Sequence, residues 1–78
     1  MPYNEVMKFQ VLFSYDEAFQ GYVAEAIELP GCLSQGKTLD EAMTNIKDAI
    51  QGVLLVMEKN GEPFHPTTRP VLVGEVAV

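Results

Sequence analysis

The chain has 78 residues, 47% of them apolar and 21% charged, with 11 acidic against 5 basic residues and a net charge of −6. This length allows one domain, residues 1–78, with a modest core, so that oligomerisation is an ordinary way to bury more surface. The acidic balance repels phosphate backbones, which argues against direct nucleic-acid binding by this chain and for a basic partner.

The elements follow in chain order. Residues 6–15, VMKFQVLFSY, alternate: Met7, Phe9, Val11, Phe13 and Tyr15 fall on one face, and Lys8, Gln10 and Ser14 on the other, with Leu12 the exception. This is the pattern of a half-buried strand. Residues 16–21 form the turn, and residues 21–29 a second strand pairing back on the first, whose Tyr22, Ala24 and Ala26 share a face small enough for close packing. Pro30 and Gly31 punctuate the chain, and residues 32–36 suffice for a short third strand.

A helix then starts at a capping box, Thr38-Leu39-Asp40-Glu41, in which the Thr hydroxyl accepts from the N3 amide and Glu41 reaches back to the cap's own N–H. Leu39, Ala42, Met43, Ile46, Ala49, Ile50, Val53, Leu54 and Met57 recur at helical spacing and define the core face. Asn60-Gly61 ends the helix, with Gly at the left-handed position. Three prolines make residues 62–70 an irregular connection. Residues 71–78, VLVGEVAV, read as a last strand, buried on both faces or forming an edge covered by a partner. The expected order is β-β-β-α-β: an α+β, two-layer sandwich of about four strands, with one helix across the sheet and a right-handed strand–helix–strand crossover.

Residues 31–38, GCLSQGKT, fit the phosphate-binding pattern G-x-x-x-x-G-K-[ST] at every fixed position. Three features speak against a nucleotide. Thr38 is engaged as a helix cap, no acid ends a later strand to hold Mg²⁺, and the chain is short for the sheet that carries such a site. The expected reading is a strand-to-helix turn, with no cofactor.

Read over a longer stretch, residues 21–50 resemble the HicB-like antitoxin family. The resemblance is carried by Tyr22-x-Ala24, Leu29-Pro30-Gly31-Cys32, Ser34-x-Gly36-x-Thr38, Glu41-Ala42 and Asn45-Ile46-x-x-Ala49, at uninterrupted spacing; Lys37 stands where the family often has an acid. Pro30, Gly31, Gly36, Thr38 and Glu41 are its structural motif. The resemblance implies a partial RNase H-like fold and a role in neutralising a HicA-type toxin, a small basic RNase that cleaves mRNA. Many family members continue into a DNA-binding domain; this chain stops at Val78, so it reads as a short form that does not bind its operator unaided. The alternative is a stand-alone oligomeric interaction module with no toxin partner.

An enzyme reading finds little support. A metal-dependent nuclease on this kind of sheet needs carboxylates clustered on a central strand around two metals about 4 Å apart. Residues 6–15 contain none, Asp16 lies in the turn, Asp48 is on the helix's polar face and Glu75 is alone in the last strand, so no metal site is expected. Cys32 is the one cysteine, with no disulfide or zinc spacing and no activating neighbour, and is expected as a small buried thiol; His65 is expected as a loop residue. The start carries no basic n-region, and the longest apolar run, residues 53–57, is far too short to cross a bilayer, so the expected location is the cytoplasm.

Two surfaces remain. Asp16, Glu17, Glu25 and Glu28 are the candidates for contacting a basic partner. Residues 53–57, VLLVM, are apolar on all sides, which exceeds one core stripe and marks Leu55 and Val56 as candidates for an interface in a homodimer or higher homo-oligomer.

Overall fold

The computed structural model describes residues 7–62, 64 and 72–78. Three strands, β1 (Val11–Asp16), β2 (Gly21–Ala26) and β3 (Leu33–Gly36), precede one helix, α1 (Leu39–Lys59). The sheet is antiparallel throughout, in the order β1-β2-β3.

Strand alternation sorts the side chains as the sequence pattern predicts. Val11 pairs with Ala26, and Phe13 with Ala24. These residues line the inner face, where Ala24 and Ala26 are fully buried and Phe9, Val11 and Phe13 pack against the core. Leu12, Glu25 and Leu33 make a row across the outer face. The two alanines explain the close approach of α1, which lies chiefly over β2 and β3 and buries Ala42, Ile46 and Ile50 there.

The strands are shorter than their patterns. β2 ends at Ala26 because a turn begins, with Leu29 N–H donating to Ala26 O at 3.1 Å and Cys32 N–H to Leu29 O at 2.9 Å. Leu29-Pro30-Gly31-Cys32 thus closes as a type II turn: proline precedes a glycine at φ +83°, a region a side chain rarely enters. β1 in turn begins at Val11, opposite the last residue of β2.

The helix termini follow from local chemistry. Thr38 is the N-cap, in extended backbone, and its hydroxyl accepts from Glu41 N–H at 3.1 Å. The return bond differs from the expected box: the Glu41 carboxylate accepts from Lys37 N–H at 2.7 Å, one residue beyond the cap. At the other end Asn60 is the C-cap, Gly61 has φ +72°, and bonds from Gly61 N–H to Glu58 O and Glu62 N–H to Met57 O complete a Schellman motif.

Two expectations are corrected. Residues 72–78 form no strand, so the order among the described residues is β-β-β-α, and neither a fourth strand nor the crossover is present there. Apolar character alone makes no strand; it needs an edge to pair with, and these residues are bonded to none. Met43 and Leu39, expected in the core, are each about half exposed, because α1 sits over β2 and β3 and leaves the flank beside β1 uncovered.

Candidate partner-binding surface

The geometry of the GCLSQGKT stretch decides its use. Leu33–Gly36 is a strand paired with β2, so these residues do not form a loop of free N–H groups able to wrap a phosphate. Gly36 is there for closeness. A Cβ added to it would collide with Ala42 N and come within 2.7 Å of the Glu41 carbonyl carbon, so only glycine lets the start of α1 rest on β3. The Lys37 ammonium donates to Phe19 O in the β1–β2 turn and lies 4.0 Å from the centroid of the Phe19 ring. This bracket ties the hairpin turn to the helix start, and the sequence reading missed it because nothing local links positions 18 residues apart.

The four candidate acids do not converge. Asp16 and Glu17 sit at the hairpin turn, Glu25 is the next-to-last residue of β2, on the outer face, and Glu28 follows the far end of β2. A six-residue strand spans about 20 Å, which is the scale of the separation between the two ends. Their environments also differ. The Asp16 carboxylate accepts from Phe19 N–H at 3.1 Å, and the Glu28 carboxylate from Gln10 N–H at 2.9 Å, so both shape the backbone. Glu17 and Glu25 are exposed. Asp40 and Glu41 begin α1 near the hairpin turn, so among the described residues that end of the molecule carries Asp16, Glu17, Asp40 and Glu41 together with Lys37. Asp40 escaped the sequence reading as a surface candidate because its helix-dipole role already accounted for it.

Cys32 is buried, and desolvation pushes its thiol up from the ordinary value of 9.0, the opposite of what activates a nucleophile. His65 lies outside the described residues. Among the described residues no three His, Cys, Asp or Glu side chains gather to hold a metal ion. No described helix is long and apolar enough to cross a membrane.

Apolar surface is more concentrated. Leu55 and Val56 are 53% and 55% exposed on the outer side of α1. On the flank beside β1, a groove of about 530 Å³ runs between strand and helix, lined mainly by apolar side chains such as Phe9, Val11, Met43 and Leu54, with Lys47 and Gln51 also on its wall.

A family model described as "HicB_like antitoxin of bacterial toxin-antitoxin system" matches residues 9–73. The chain belongs to the HicB-like antitoxin family. Among its relatives, UPF0150 proteins of Thermoplasma acidophilum and Archaeoglobus fulgidus are each 43% identical over 56 residues, 72% of this chain and 80% and 78% of theirs. A Helicobacter pylori UPF0150 protein is 55% identical over 31 residues, 40% of this chain and 43% of its own. No solved structure matches the chain. In this HicB-like chain the motif residues Pro30, Gly31, Gly36, Thr38 and Glu41 all have structural work: a type II turn, a strand-to-helix contact and a helix cap.

Proposed function

We propose that this HicB-like chain is the antitoxin of a toxin–antitoxin pair, and that it binds a small basic RNase of the HicA type and covers the surface on which that toxin holds RNA. The observation that carries the reading is family membership over residues 9–73. The charge of −6 supports it, since an acidic domain is drawn to a protein built to bind phosphates. Inhibition is stoichiometric and without turnover, because the chain acts by occupying space and charge rather than by chemistry. It acts in the cytoplasm, where the toxin meets mRNA.

The contact surface is assigned to the acids. Glu17 and Glu25 offer whole carboxylates. Asp16 and Glu28 each spend one acceptor position on a backbone N–H and retain others for arginine or lysine, since a carboxylate has about four lone-pair sites. A second reading, a stand-alone oligomeric module, draws on the exposed Leu55 and Val56 as a contact between copies.

The experiment mixes the chain with the product of an adjacent basic reading frame and follows RNA cleavage. Cleavage falling to background at equimolar protein supports the antitoxin reading. Undiminished cleavage at molar excess, or no complex on a sizing column at low salt, removes it. Charge reversal at Glu25 and Glu17 slows association and flattens its salt dependence if these acids lie at the rim of the interface. Leu55→Lys, which leaves the core untouched, disrupts the contact between copies if the second reading holds.

A further inference from the structure

The sheet has two edges, and they are treated differently. Ile27 N–H donates to Gln10 O, and Ala26 N–H to Cys32 O. In an antiparallel ladder, bonding directions alternate residue by residue. Even-numbered β1 residues therefore bond to β2, while Val11, Phe13 and Tyr15 turn their backbone groups to the outer edge of β1. On the opposite edge, the Asn45 side-chain amide donates to Gln35 O at 2.8 Å, so the helix blunts β3. No such bond protects β1 among the described residues, and the groove between β1 and α1 lies alongside it. An open edge beside an apolar groove is a template for one more strand.

Residues 72–78, LVGEVAV, have the composition for that place. Alternation puts Leu72, Gly74, Val76 and Val78 on one face and Val73, Glu75 and Ala77 on the other, so one face is free of charge and the other carries the single acid. In the isolated chain Val73 comes near Gln10, Val11 and Leu12, at the start of β1, yet does not join the ladder. Leu72, Val73 and Val76 stay 79–89% exposed. A run this apolar is not normally left in water.

We propose that residues 72–78 of one copy add as a strand to the β1 edge of a second copy, seating Leu72, Val76 and Val78 in that copy's groove, and that reciprocal exchange closes a two-fold dimer. The occupant is a second copy because residues 72–78 come near the start of their own β1 without forming a strand on it. Exchange of an identical element uses complementarity already encoded in one sequence and closes the assembly at two copies. The proposal goes beyond the antitoxin reading and does not depend on a toxin being present.

The test uses the full chain without any toxin. Sedimentation across a wide concentration range gives a dimer, and the Val11, Phe13 and Tyr15 amides exchange slowly. Val76→Lys keeps the wild-type far-UV signal, because Val76 touches none of the core, but weakens the dimer by about tenfold or more, since two buried valines are lost per two-fold assembly. The same variant speeds exchange of the three edge amides. A spin label on Glu75→Cys of an unlabelled copy broadens the Val11 and Phe13 amide signals of an isotope-labelled copy mixed with it. Four results would overturn the proposal. One is a monomer at all concentrations, and a monomer with protected edge amides would show the strand pairing within its own chain. The others are a dimer indifferent to Val76→Lys, a variant that unfolds, and a dimer whose edge amides exchange freely.

Discussion

Replacing Gly36 by alanine adds one methyl group, and the structure says where it must go. The new Cβ would meet Ala42 N and lie within 2.7 Å of the carbonyl carbon and the Cβ of Glu41. Two of these three neighbours are backbone atoms of the first helical turn, which cannot rotate aside as a side chain would. Relief requires the start of α1 to lift from β3. That strains the Thr38 cap bond and the Glu41 bond to Lys37 N–H, and loosens Ala42 over the sheet. Overpacking of this kind costs about 1–3 kcal/mol. For a domain of this size each kcal/mol moves the midpoint by about 4–8 °C, so the expected fall in Tm is roughly 5–20 °C. Gly52→Ala is the matched control. The same methyl group at Gly52 meets nothing within 4 Å, in the interior of the helix, where alanine is favoured over glycine by about 1 kcal/mol. Its Tm should rise by about 4–8 °C. Thermal unfolding followed by far-UV circular dichroism, at one protein concentration for all three proteins, reads both shifts. A Gly36→Ala protein melting within about 2 °C of wild type, well inside the expected shift, would refute the close contact between α1 and β3.

Thr38→Ala removes the hydroxyl that accepts from Glu41 N–H and should cost about 1 kcal/mol, read as a lower denaturant midpoint at unchanged slope; an unchanged midpoint would mean that the helix starts elsewhere. Titration with Mg²⁺ and ATP or GTP should give no binding, because GCLSQGKT contributes a paired strand and Lys37 is held at Phe19; micromolar affinity lost in Lys37→Ala would overturn that account. Cys32 should react with a thiol reagent near pH 8 far more slowly than an unstructured cysteine, and at the ordinary rate once denaturant is added. With its pKa raised on folding, the unfolded chain gives up this proton first, so the thiol's contribution to stability is intact below pH 9.0 and is lost as pH rises through the higher folded value; Cys32→Ser should remove that alkaline slope in denaturant titrations.

Local chemistry was legible because it is written in neighbouring residues. The spacing from Ala42 to Met57 announces the helix, Thr38 and Glu41 its start, Asn60 and Gly61 its end, and the alternation of residues 7–15 the inner and outer faces of β1. Leu29-Pro30-Gly31-Cys32 carries its turn in four consecutive residues. The family resemblance rested on the same short-range features, so it was legible for the same reason.

What the sequence alone could not decide all depends on distance in space. The apolar spacing defines a helix face wider than the sheet can cover, and only the position of α1 over β2 and β3 exposes Met43 and opens the groove beside β1. The four acids look like one hairpin patch in the sequence, but the length of β2 sets Glu17 and Glu28 at opposite ends. Gly36 and Lys37 match a phosphate loop letter by letter, until tertiary packing spends the first on a helix contact and the second on Phe19. Residues 72–78 have a strand's composition and no strand's bonds, because a strand is completed by a neighbouring edge, and which edge that is lies outside the segment's own sequence.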